Sequence, residues 1–306
     1  MKKDRIINVI KEIFSDEKKF VRRNMAITIL LGMFLNSMTF SNELIKTRDG
    51  STARVTTAPN GTPMIELANP NGTISVNDFD RLNVDDKNLI LNNISPREGA
   101  GYRSELGGII APNENYTGNP ARAVLIRVHK DPSVLKGYIE AASTGKMDVF
   151  FSNPNGIYFG GNGGLVGRFG NTTFTTGHIT DDLMTIMVRK GRIEINGNFN
   201  GNAAETLSLL AKEIKVNGQL NGTDLNLIGG EYDYKPGTGE VVKQGENPGE
   251  VLISASVLGS VYGRNIYLKA VGSDIGVKGD MISQKVLKIN VDGSLVLSKV
   301  QGTERV

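Results

Sequence analysis

From Asn60 onward the apolar residues of this chain come in short bursts. Pro63 to Leu67, Asn88 to Leu91, Arg122 to Val128, Tyr138 to Ala141 and Met147 to Ser152 are aliphatic or β-branched runs bounded by Gly, Asn, Pro or Asp. That pattern predicts short strands separated by tight turns. Ala121 to Val128 (ARAVLIRV) alternates only weakly, which predicts a strand buried on both faces. Asn42 to Pro59 is polar, with short alternating pieces such as Ala53-Arg54-Val55, and predicts short strands over the start of the domain. Helical periodicity is confined to the first 41 residues and, faintly, to Ala203–Lys212, a stretch that reads better as a loop leading into a strand.

The second half carries a repeat. Arg192 to Gly201 reads RIEINGNFNG and Glu213 to Gly222 reads EIKVNGQLNG, so that Asn196-Gly197 and Asn217-Gly218 stand 21 residues apart. Fainter echoes follow around Gly259, Gly279 and Gly293. A strand–turn–strand unit recurring at about twenty residues is the mark of a parallel β-helix, each unit one coil stacked on the last. In that arrangement Ile193, Ile195, Phe199, Ile214, Val216 and Leu220 point inward, while Glu194, Asn198, Lys215 and Gln219 stay outside. The Asn-Gly steps are expected to supply positive φ at the corners. Two similar hairpins in a β-sandwich are the other reading, since Asn-Gly is also a leading hairpin turn; the regular 21-residue spacing favours the coil. Glu231 to Glu250 interrupts the repeat with Pro, Gly and charges and predicts an excursion such as a small hairpin. No capping element is evident before Val306. An open last coil is therefore expected, as in a fragment of a longer protein or a short natural relative.

Composition agrees with a turn-dense β architecture: 37 glycines, no tryptophan and few aromatics. The absence of cysteine excludes disulfides and thiolate metal sites. The net charge of +3 is misleading. Residues 1–23 hold eight Lys and Arg against four acids, so the rest of the chain is close to neutral. A body without a basic stripe gives no footprint for nucleic acid. Behind Arg22-Arg23 lies an apolar run, Ala26 to Leu35, followed by Asn36-Ser37-Met38-Thr39-Phe40-Ser41. These are the parts of a secretory signal peptide. The run is well short of the roughly 20 residues of a membrane span, and cleavage is expected after Ser41.

Candidates for chemistry are weak. Asp85-Asp86 and Asp181-Asp182 are adjacent carboxylates. Neighbours on a strand face opposite ways, so these pairs suit solvated turns better than a facing acid–base pair. His129 and His178 have no metal-ligand or nucleophile–base spacing and read as strand-end or turn residues. Gly160-Gly161-Asn162-Gly163-Gly164 lacks the Gly-Lys-Ser/Thr of a phosphate loop and reads as a flexible loop. Asn-x-Ser/Thr sites at Asn115, Asn171 and Asn221 are incidental in a chain of bacterial type. No cofactor is implied.

The distinctive strings are turns and their flanks. They are Asn60 to Leu67 (NGTPMIEL), Phe79 to Asn93 (FDRLNVDDKNLILNN), ARAVLIRV, Gly137 to Ala141 (GYIEA) and finally Asn153-Pro154-Asn155-Gly156-Ile157. The last has every residue a tight turn favours. Asn69-Pro70-Asn71-Gly72 is a second such corner, and Gly118-Asn119-Pro120-Ala121 precedes ARAVLIRV. Taken in this order, roughly over residues 45–180, they resemble the amino-terminal secretion domain of the filamentous haemagglutinin family. In that family an Asn-Pro-Asn-Gly-Ile motif is needed for efficient export. A further motif, Asn-Pro-Asn-Leu, survives here only as Asn119-Pro120. Thr173 to Gly177 resembles the strand that closes the family's domain.

The resemblance implies an all-β, right-handed parallel β-helix with an amino-terminal cap and extra-helical hairpins. It implies a signal peptide over 1–41, a secretion domain over 42–180, and further coils over 181–306 with the excursion near 231–250. The expected partner is an outer-membrane β-barrel transporter with periplasmic receptor domains, meeting Asn69, Pro70, Asn71, Gly72, Asn119, Pro120, Asn153, Pro154, Asn155, Gly156 and Ile157. The expected role is that of a secreted exoprotein of a Gram-negative bacterium, active in adhesion, haemagglutination or toxin delivery at a host or neighbouring cell and not as an enzyme. A stand-alone β-helix enzyme acting on polysaccharide is the alternative, as is a structural surface protein independent of any transporter.

Overall fold

The computed structural model describes residues 44–245, 250–256 and 258–302. The expected signal peptide and its cleavage point lie outside them. The described chain winds as a parallel β-helix with three faces. On the first face, Ile74–Leu82, Ala123–Val128, Met147–Ser152, Phe169–Thr175 and Thr206–Ala211 stack in parallel, followed by the second halves of Gln219–Gly230 and Ser260–Val271. The second face stacks Pro63–Glu66, Leu89–Asn92, Tyr138–Ala142, Asn162–Gly167 and Asn198–Asn200, then the first halves of the same two long strands. Ser133–Leu135, Ile157–Phe159, Arg192–Ile195, Glu213–Val216 and Val251–Ala255 make the third. Asp274–Val291 and Leu295–Gly302 add the last rungs.

The 21-residue repeat is one coil. Ile193 pairs with Ile214, Ile195 with Val216 and Phe199 with Leu220. All six are buried in the central core, whereas Glu194, Asn198, Lys215 and Gln219 face outward. Alternation on parallel strands fills the coil interior without a break. At mid-height Phe151, Phe159, Phe174 and Phe199 stack in tilted and edge-to-face pairs with ring centroids 4.4–5.9 Å apart, the geometries aromatic pairs favour.

The corners correct one expectation. Neither Asn196-Gly197 nor Asn217-Gly218 has positive φ. Glycine is required there by close approach. A Cβ on Gly218 would lie 2.8 Å from the Gly197 carbonyl carbon and closer still to its oxygen, and Gly197, Gly259 and Gly279 meet the same obstruction from Gly161, Val216 and Gly259. The Gly197 and Gly218 carbonyls accept bonds from Gln219 and Ser260 in the next coil, at 3.0 and 2.8 Å. The asparagines stack as amides, Asn217 Nδ2 donating to Asn196 Oδ1 at 2.9 Å. The glycine-rich run is not a flexible loop either. Asn162–Gly167 is a strand, with Gly163 and Gly164 pressed on the carbonyls of Gly137 and Asn200. The faint helical pattern near Ala203 gives a turn and then the strand Thr206–Ala211.

At the amino end Ile45–Thr47 and Arg54–Thr57 pair antiparallel to Ile74–Leu82 and Pro63–Glu66 and cap the first coil. Two elements stand off the helix. Tyr102–Ser104 and Gly108–Ile110 form a hairpin. The excursion forms another, Tyr232–Lys235 with Glu240–Lys243, which joins His178–Ile179 and Ile186–Val188 in a four-stranded antiparallel sheet. This sheet packs Ile179, Ile186, Val188 and Tyr232 onto Leu125, Phe150, Leu210 and Ile228, the outward side chains of the first face. That is why ARAVLIRV is apolar on both sides.

The close corner stacking makes a specific prediction. Gly218→Ala should destabilise by about 1–3 kcal/mol through overpacking, read as a lower urea midpoint at unchanged slope. Gly237→Ala, where nothing lies within 4 Å of the added carbon, should change stability by less than about 0.5 kcal/mol.

Candidate functional site

The three Asn-Pro segments do not converge. Asn69–Gly72 and Asn119-Pro120 lie together at the entry to the first face. Asn69 Oδ1 accepts from the Thr117 amide at 3.0 Å, and Thr73 O accepts from the amides of Arg122 and Ala123 at 2.9 and 3.1 Å. Asn71 and Ile74 exchange backbone bonds across Gly72, whose φ is +63°, a tight turn that glycine makes without strain. Asn69, Asn71, Gly72 and Asn119 are exposed and Pro70 and Pro120 half-buried.

Asn153–Ile157 sits at the other end, where the strand Met147–Ser152 leaves the first face for the third. Asn153 is fully buried. Its Nδ2 donates to Asp131 O and Ser133 Oγ, both at 2.9 Å, and its Oδ1 accepts from the Asn155 amide at 3.0 Å. Its own amide donates to Thr175 O at 2.9 Å. One side chain therefore ties the coil before to the turn, while its backbone joins the coil after. The Gly156 amide closes the turn on Asn153 O at 3.1 Å, with Gly156 at φ +118°. Ile157 is fully buried between Ser133 and Ile193. Only Asn155 is exposed, its Nδ2 donating to His129 O at 3.2 Å. The folded corner is a staple between coils that leaves Asn155 and part of Pro154 accessible.

A charged cluster flanks this exit. Arg127 binds Asp78 through Nε and Nη2 at 2.8 and 2.9 Å and reaches Asp181 in the turn of the four-stranded sheet. His129 Nε2 lies 2.7 Å from Asp78 Oδ1. Burial raises the cost of charge on Asp78, but Arg127 and His129 outweigh it and hold its carboxyl below the ordinary value near 3.8. Lys130, 2.6 Å away, does the same for Asp80. The adjacent acids behave as turn residues. Asp85 caps the Lys87 amide at 2.9 Å, and Asp182 accepts from Thr180 and Met184 at 2.6 and 3.0 Å. Among the described residues no three His, Asp or Glu side chains converge as metal ligands do.

Sequence reasoning missed a network of buried polar side chains under the cap. Asn92 Nδ2 donates to Glu66 Oε1 at 3.1 Å and to Ala111 O at 3.0 Å, and Asn113 Nδ2 donates to Leu67 O and Asn92 O at 2.9 Å. Asn93 binds Ala121 on both edges of its amide and accepts from the Tyr116 hydroxyl at 2.7 Å. Burial pushes the Glu66 carboxyl and the Tyr116 phenol up. Glu140, fully buried, accepts from Ser104 Oγ and the amides of Glu105 and Leu106 at 2.5–2.9 Å, which clips the small hairpin to the coil. The available signal was polar residues at positions the strand pattern buries: Asn92-Asn93 closing an apolar run and Glu140 inside one.

A match to the model of the TPS secretion domain covers residues 42–297. The chain belongs to the TPS secretion domain family. Among its relatives, Toxin CdiA of Escherichia coli is 32% identical over 255 residues, 78% of this chain and 8% of the relative. Filamentous hemagglutinin of Bordetella pertussis is 27% identical over 256 residues, 78% of this chain and 7% of that protein. The crystal structure of the filamentous hemagglutinin secretion domain superposes with a TM-score of 0.73 at 23% identity, covering 86% of this chain and 98% of that one. Its likeness shows the fold. The chain thus spans under a tenth of the length of these curated relatives. Membership in the TPS family places it among proteins that Gram-negative bacteria secrete through the periplasm to the surface or beyond.

Two outcomes follow for the TPS domain. Asn153→Ala should cost about 1–3 kcal/mol because it strands buried acceptors, whereas Asn155→Ala should cost under about 1 kcal/mol, both read from urea unfolding. Asp78, its folded pKa depressed, contributes stability above its unfolded value that is lost as pH falls through the folded one. The stability lost between pH 7 and pH 3 should therefore be smaller in Asp78→Asn than in the natural chain.

Proposed function

We propose that residues 42–180 act as the export address of a large exoprotein, read in the periplasm by receptor domains of an outer-membrane β-barrel transporter, with coils 181–306 extending the β-helix behind it. The role of the whole protein is then adhesion, haemagglutination or toxin delivery, in keeping with relatives named as a toxin and a hemagglutinin. The observation that carries this reading is the burial of Asn153, Gly156 and Ile157 between successive coils. A transporter meets these residues before the coil closes, and closing it removes Asn153, Gly156 and Ile157 from reach. Recognition of an extended chain by strand addition fits that order of events, and folding outside the barrel then opposes return. Asn69, Pro70, Asn71, Gly72, Asn119 and Pro120 remain at the surface and belong to the same address as its second, accessible part.

The test is release into the medium with and without a candidate transporter. Partner-dependent release that falls at least about tenfold for Asn153→Ala and Pro154→Ala supports the reading. Equal release without any transporter, or retention in the periplasm with one present, rejects it. Asn119→Ala should reduce release without altering the unfolding midpoint if the accessible corners are part of the address.

A further inference from the structure

A groove lies where the second face bends into the first, on the same edge as Asn69–Gly72 and Asn119-Pro120 but several coils further along. Gln219–Gly230 and Ser260–Val271 run through this bend unbroken, with Asn221 opposite Tyr262 and Gly222 opposite Gly263. A Cβ on either glycine would run into the inward side chain of Leu225 or Ile266, so the bend is set by the core. Asn202, Asn221, Thr223, Tyr262, Arg264 and Gln284 line the groove.

Several of these groups are held in place. Gln219 Nε2 donates to Asn221 Oδ1 at 3.0 Å, which fixes the plane of the Asn221 amide. Arg264 donates to Asp224 from Nη2 at 3.0 and 2.9 Å to its two oxygens and from Nε at 3.2 Å, and Asn265 Nδ2 donates to the same Asp224 Oδ1 at 2.8 Å. The guanidinium charge is thereby balanced. The lining presents amides that each donate and accept, a hydroxyl, and one half-buried aromatic ring.

That combination discriminates among ligand classes. A phosphate or other anion needs an uncompensated cation, and Arg264 is neutralised by Asp224. An added β-strand needs an open edge, but both long strands are paired on each side here. A peptide anchor needs an apolar pocket, and the lining is mostly polar. Vicinal hydroxyls, each a donor and an acceptor, match the amides, and the apolar face of a pyranose matches the Tyr262 ring. We propose that this groove binds a neutral oligosaccharide. The proposal is independent of the export reading, since none of the groove's residues belongs to the Asn-Pro corners.

Saturation-transfer NMR on the full chain tests it, with cellotetraose and tetra-N-acetylchitotetraose as neutral probes and a heparin tetrasaccharide as the anionic one. Transfer to a neutral probe with Kd on the order of 1 mM is expected. Tyr262→Ala and Asn202→Ala should each weaken it at least about fivefold, and Tyr262→Phe should retain it. Asn202 lies in an exposed turn, so its variant keeps the test decisive if the tyrosine substitution disturbs the strand. No transfer to either neutral probe, transfer only to the anionic one, or binding unmoved by both alanine variants would overturn the proposal.

Discussion

Each coil of this molecule finds its hydrogen-bond partners in the coils before and after it. In a parallel β-helix the backbone ladder runs along the axis, so a strand that lacks a neighbour leaves a row of amides and carbonyls open. Everything else answers to that ladder. The amino end is closed by antiparallel strands, the interior is filled by inward side chains at a fixed register, and the corners must let one backbone settle on the next.

The corners show how strict the last requirement is. Where Gly197 lies under Gly218, the space of a methyl group is already occupied by a carbonyl that the next coil uses. Where the coil turns at Asn153, a side-chain amide substitutes for backbone and bonds to the preceding coil. Under the cap, Asn92, Asn93 and Asn113 do the same for loops that follow no regular ladder. Asparagine recurs because its amide has the donor and acceptor of a peptide group on a short tether. Burying these asparagine side chains is tolerable because each amide is hydrogen-bonded.

The same corners bind each coil to both of its neighbours. The Asn153 staple closes only when the coil before and the coil after are both in place. The Asp78–Arg127–Asp181 bridge then fastens the four-stranded sheet, whose strands come from two separate excursions, to the finished coils.

Much of the architecture was legible in the chain. The 21-residue spacing, the inward Ile193, Ile195 and Phe199 and the short strand bursts follow from periodicity, which depends only on the geometry of a strand. The excursion at Glu231–Glu250 was legible as an interruption, but not its pairing with Ile186–Val188, because sheet partners distant in sequence leave no local mark. The Asn-Pro corners stood out by composition, yet nothing local distinguishes exposed Asn119 from buried Asn153. The Asn-Gly glycines and the strand Asn162–Gly167 escape a local reading for one reason. A turn propensity describes a residue's own φ, whereas these glycines answer to a carbonyl in another coil. The sequence by itself determined the strands, the coil length and the inward positions, all properties of local pattern. Only the tertiary structure decided which corners are buried, which amides are paired and where a groove opens, because those depend on what the next coil places a few ångströms away.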